Sequence, residues 1–67
     1  MSDINIAHEG TLIGFRPVSK PAKEWFAGHV RSEPWQWLGP TLWVDHRIAE
    51  LLILALDTEG FTLGGKQ

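Results

Sequence analysis

Few side chains in this sequence have the means to do chemistry. His8, His29 and His46, with Glu9, Asp45 and Glu50, are the conceivable metal ligands. A metal site on a helix usually starts from two ligands at i, i+4, and only His46 and Glu50 approach that arrangement. One histidine–carboxylate pair falls short of the ligand set that structural sites need, so a solvated helix start is the expectation there and no metal or other cofactor is expected. Ser19, Ser32 and the threonines offer hydroxyls, but none lies in a strained elbow motif or beside a histidine. Asp57 and Glu59 pair two carboxylates at positions where solvation explains them. Gly64-Gly65 has no helix after it to cradle a phosphate. Catalysis is therefore not expected.

The stretch that must position everything else is Asp45–Leu63, DHRIAELLILALDTEGFTL. Asp45 is a short carboxylate just before an apolar period, the signature of an N-cap. Good helix formers follow without a proline, and Gly60 supplies a left-handed stop with Phe61 as its hydrophobic closure. The expected helix spans His46–Glu59. Ile48, Leu51, Leu52, Ala55 and Leu56 recur at i, i+3, i+4, i+7 and i+8 and are expected to form its core stripe. Ile53 and Leu54 are then left over. Full burial of one such side chain is worth roughly 1.5–3 kcal/mol, so two in water call for a cover, either from the chain itself or from a partner.

The chain has 67 residues, no cysteine and a formal charge of −2. One domain of this size hides only about 60% of the surface its unfolded form exposes, and no disulfide framework or cysteine zinc site can compensate. Acidic and basic residues are interspersed, which disfavours nucleic acid as a partner. The longest apolar run, Leu51–Leu56, is far below the roughly 20 residues that cross a bilayer, and the first residues lack a basic region followed by an apolar one. A cytoplasmic protein without membrane insertion is expected.

Before the central helix, Met1–Gly10 shows neither period and is read as a flexible arm, loosely ordered or paired late at a sheet edge. Thr11–Arg16 is β-prone and ends at Pro17, giving a first strand. Ser19 caps a first helix of about Lys20–His29, whose apolar face is led by Trp25 and Phe26. Arg31–Pro34 is a polar connector. Trp35–Leu38 and Thr41–Val44 flank Gly39-Pro40 as a hairpin. With Gly39 and Pro40 central, Trp37 faces Leu42, Trp35 faces Val44 and Gln36 faces Trp43. Trp35, Trp37, Leu42 and Val44 then turn toward the helices, and Gln36, Leu38, Thr41 and Trp43 share the open face. Phe61–Leu63 is the last strand and residues 64–67 a tail. The resulting α+β fold, β-α-β-β-α-β over residues 11–63, suggests a four-stranded sheet with two helices on one face, the ferredoxin-like or split βαβ arrangement.

Trp25, Trp35 and Trp37 are expected in the core, and Trp43 on the open sheet face, as a protein hot spot or a base-stacking platform. The second use normally comes with a basic surround, and Arg16 is the one cation nearby in the strands. Arg47 sits against the helix dipole in the first turn and is expected to be held by Asp45, by Glu50 or by a partner's acid.

Arg16-Pro17 at the end of a strand, Glu24-Trp25 in the first helix, Trp37 and Gly39 in the hairpin, Val44-Asp45-His46-Arg47 and Gly60-Phe61 form a pattern that resembles small uncharacterised proteins of bacteriophages, prophages and bacterial mobile elements. The resemblance covers Leu12–Leu63. It implies a setting, a phage-type factor in the host cytoplasm, rather than an activity. Leu54 departs from it where a polar residue is usual, and Pro40 where glycine is usual. Together these readings point to a non-enzymatic protein-binding module that inhibits a host or defence protein, in the manner of an anti-CRISPR. Trp43, Ile53, Leu54, Gln36 and Arg47 are its expected contact residues. A self-assembling homodimer and a single-stranded nucleic-acid binder using the open sheet face are the alternatives.

Overall fold

The structure, a computed structural model, describes residues 2–30 and 34–65. Its elements are β1 (Ile4–Glu9), β2 (Leu12–Pro17), α1 (Lys20–His29), a 3-10 turn (Pro34–Gln36), β3 (Trp37–Leu38), β4 (Thr41–Asp45), α2 (His46–Glu59) and β5 (Leu63–Gly65). The strands form one mixed sheet in the order β3-β4-β2-β1-β5. The chain is thus α+β with two helices, and the four-stranded ferredoxin-like expectation is met only in outline. A fifth strand, β1, lies between β2 and β5, pairing antiparallel with the first and parallel with the second.

That strand replaces the flexible arm expected over residues 1–10. Ile4 is fully buried, and Ile6 packs against the core. Alternation of Ile4, Asn5, Ile6 and Ala7 is too brief to be read as a strand period, so its partners define it. Gly10-Thr11 turns the chain back into β2 with Gly10 at φ 59°, the glycine-first arrangement of a two-residue type II′ hairpin. The second hairpin uses the same device. Gly39 has φ 61°, Pro40 follows, and Trp37 faces Leu42 as Leu38 faces Thr41, as expected. Proline fits where glycine is usual because the second turn position takes a negative φ. The pairing stops there: Trp35 and Gln36, expected to continue the strand opposite Val44 and Trp43, belong to the 3-10 turn.

Both helices keep their expected bounds. Ser19 caps α1 by accepting from the Ala22 N–H at 3.2 Å. Asp45 caps α2, its Oδ1 accepting from the N–H groups of Arg47 (3.0 Å) and Ile48 (3.1 Å). At the other end the Gly60 N–H donates to the Asp57 carbonyl and the Phe61 N–H to the Leu56 carbonyl, a Schellman closure with Gly60 left-handed at φ 87°. The last strand begins at Leu63 rather than Phe61, and Phe61 instead meets Trp25 edge-on, ring centroids 6.1 Å apart.

One core joins the inner sheet face to both helices: Ile4, Phe15, Leu42 and Val44 below, Ala22 and Phe26 from α1, Ala49, Leu52 and Leu56 from α2. Among the described residues, no α-helix covers the opposite sheet face. The Arg31–Pro34 connector falls largely outside the described residues, as do Ser32 and the last two residues of the expected tail.

Candidate functional site

The rotation of α2 decides which of its side chains face out. Ala49, Leu52 and Leu56 are buried, with Ile53 packed beside them, while Ile48, Leu51 and Ala55, expected in the core, are exposed. The apolar residues nearly encircle this helix, so periodicity alone fixes no phase. The phase is set by β4: Val44 points inward, Asp45 is both the last strand residue and the cap, and no loop intervenes to turn the helix. Ile53, expected as a contact residue, is partly buried on the flank of the core. Directly opposite the buried stripe run Arg47, Leu51, Leu54 and Thr58, with Leu51 69% and Leu54 65% exposed. Beside them a cleft of about 430 Å³ opens between the helices, lined by Trp25, Val44, Ile48, Leu51 and Ala55 among others.

Apart from the capping Asp45, the charges at the two ends of α2 run against its dipole. Its first turn holds no acid and its last turn no base. Arg47 stands at the start and Asp57 and Glu59 at the end, although anions are favoured at helix N-termini and cations at C-termini. Asp45 is occupied with backbone N–H groups, and the Arg47 guanidinium has no acidic partner among the described residues.

A second apolar surface lies on the open side of the sheet. Leu12, Trp35, Leu38 and Trp43, with Glu9 and Gln36, frame a hollow of about 630 Å³. Trp35, expected in the core, is 79% exposed, because the 3-10 turn carries it out of the sheet's alternation. Trp25 and Trp37 do pack against the core. Trp43 is on the open face as expected, but half-buried, its six-membered ring lying over Gly14. A Cβ on Gly14 would come within 2.9 Å of that ring and 2.8 Å of Thr41 Cγ2, so the glycine in β2 is what lets the indole lie down. Its Nε1–H is buried without an acceptor among the described residues, which costs about 1–3 kcal/mol and marks a ring held by packing alone.

The five expected contact residues therefore divide. Trp43 lines the sheet-side hollow, Gln36 both that hollow and the cleft between the helices, Leu54 and Arg47 the outer face of α2, and Ile53 none of these. Leu12 and Trp35 line the hollow with Leu38 and Glu9, and neither Leu12 nor Trp35, the latter expected in the core, is a contact residue by sequence. Pro34 at the first position of a helical turn was the one available signal for Trp35. The histidines lie in β1, α1 and α2, and among the described residues no three metal-binding side chains come together. His29 stacks on Trp25 at 4.9 Å, with its Nδ1 3.1 Å from the Trp25 carbonyl. The Ser19 hydroxyl is engaged as a cap, and Thr58 Oγ1 donates to the Leu54 carbonyl at 2.9 Å. No described helix is long and apolar enough to cross a membrane. Comparison with family models, curated proteins and solved structures returned no match.

Proposed function

We propose that this chain is a small protein-binding module that works by docking rather than by catalysis. The observation that carries the reading is the sheet-side hollow, where two tryptophans and two leucines meet at a concave surface beside polar Glu9 and Gln36. Tryptophan dominates the energetics of protein interfaces when it can be enclosed by a partner, and an apolar centre with a polar rim is the usual anatomy of such a site. The resemblance to phage and mobile-element proteins gives the setting: a factor acting in the host cytoplasm that binds and inhibits a host or defence protein, an anti-CRISPR being one form.

Nucleic acid is the weaker reading for this face. Arg16 lies near Trp43, but Glu9 rims the same side, and the ring is pressed against Gly14 rather than standing free for a base. The test uses Trp35→Asp with Leu38→Asp, both at exposed positions where the fold should survive. Wild-type chain on beads should retain one host protein that the double variant, folded by circular dichroism, does not. If both retain the same proteins equally, the hollow is not the docking site. Salt-dependent binding of random single strands by the wild type would favour the nucleic-acid reading instead.

A further inference from the structure

We infer that the outer face of α2 is the seam of an antiparallel homodimer, with a second copy of this chain as its occupant. The argument starts from spacing. Arg47, Leu51, Leu54 and Thr58 follow one another at steps of four, three and four, the seam spacing of two packed helices, and they point directly away from the core. A two-fold axis midway between Leu51 and Leu54 sets each leucine against the other leucine of the second copy. Arg47 then faces Thr58, and His46 faces Glu59. The apolar centre closes on itself, as an isologous interface requires.

Charge complementarity favours a second copy laid antiparallel over one laid parallel. In the lone helix the arginine sits at the dipole's positive end and Asp57 and Glu59 at its negative end. Two antiparallel copies bring the start of one helix to the end of the other, so each unpaired Arg47 reaches the Asp57 and Thr58 turn of its neighbour, and both dipoles are opposed. A parallel pair would place Arg47 beside Arg47 and Asp57 beside Asp57. The flanks differ as well. Glu50 and Asp57 line one side of the seam, Ile48 and Ala55 the other, so the helices lean toward the apolar flank and leave the acids to Arg47 and solvent. The seam lies on the other side of the chain from the sheet-side hollow, so this inference stands or falls independently of the proposed docking function.

A seam one helix long is about 21 Å at 1.5 Å per residue, at the small end of specific interfaces, so a reversible dimer with a micromolar dissociation constant is expected. Sedimentation equilibrium of the full chain from low micromolar to millimolar should show monomer passing to dimer. Leu51→Glu with Leu54→Glu, at two exposed positions, should weaken the dimer more than about 100-fold while the monomer stays folded. Arg47→Asp alone and Asp57→Arg alone should each weaken it roughly tenfold. Both reversals in one chain should restore much of the loss, since the pair is rebuilt with its signs exchanged.

Because the chain has no cysteine, orientation is read by single probes. Ala55→Cys, near the axis, should couple to itself through a short bismaleimide. Thr58→Cys should not, since its two copies lie about 16 Å apart along an antiparallel seam. A chain that stays monomeric at millimolar concentration overturns the inference, as does a dimer indifferent to the leucine changes. Efficient self-coupling of Thr58→Cys would overturn the antiparallel arrangement.

Discussion

The outer face of α2 and the hollow beside the sheet expose similar side chains, yet contacts of opposite range assemble them. On α2 the exposed leucines follow from a local excess: eight of the nine residues from Ile48 to Leu56 are apolar, and a helix that buries one stripe must leave another in water. In the hollow, Leu12, Leu38 and Trp43 come from three strands, and Trp35 from a turn. Register alone brings them together. A surface of the first kind survives wherever the helix forms, whereas one of the second kind exists only when the whole sheet is paired.

The sharpest way to break this comparison is within α2 itself. Leu56 is fully buried and Leu54, two residues earlier, is 65% exposed. Leu56→Ala should cost about 2–5 kcal/mol, a large part of the stability of so short a chain. Leu54→Asn should change the stability of the monomer by no more than about 0.5 kcal/mol. Urea unfolding at submicromolar concentration measures both without a contribution from assembly. Equal costs would mean that the helix is rotated from the phase described.

The same contrast explains what was legible in the residues. Ser19, Asp45 and Gly60 each act through groups within a few residues of themselves, and both helices keep the bounds those residues imply. The Gly39-Pro40 hairpin was legible for the same reason. The phase of α2 was not, since Ile48 and Ala49 compete for one position and the direct junction with β4 decides between them. Nor was β1, whose two isoleucines become a pattern only beside Phe15 and Pro17. Of the candidate contact residues, Leu54 and Trp43 were readable from local excess and strand alternation. Leu12 and Trp35 needed the tertiary fold.

A smaller effect probes the long-range surface. Gly14→Ala puts a methyl group into the ring of Trp43 and the methyl of Thr41, so these side chains must shift across the paired strands β2 and β4. A loss of about 1–3 kcal/mol is expected. In a Trp43→Val background the same substitution should cost less, with a coupling above about 0.5 kcal/mol in a double-mutant cycle. Strict additivity would show that the indole does not rest on Gly14, and the hollow would lose its floor.

The smallest effect belongs to the contact that closes the sheet's far edge. The Asp3 N–H donates to the Thr62 carbonyl at 2.9 Å, and the Asp3 Oδ2 accepts the Thr62 N–H at 2.9 Å, across nearly the whole length of the chain. Its carbonyl also accepts from Val18 and Ser19. The Thr62 N–H, with help from a Ser19 hydrogen bond, holds the Asp3 carboxyl below the usual carboxylate value. Since the folded state favours the charged form, the contribution is complete above the unfolded value of about pH 4 and is lost as pH falls through the lower folded value. Asp3→Asn should therefore be slightly less stable than wild type at neutral pH, with the difference shrinking below about pH 4. Amide exchange should report it at Ile4 and Thr62, which share the clasp, and leave the middle of α2 unchanged. Equal acceleration in α2 would mean that the helix depends on the sheet edge for its own folding, and the division between a locally made surface and a sheet-made one would collapse.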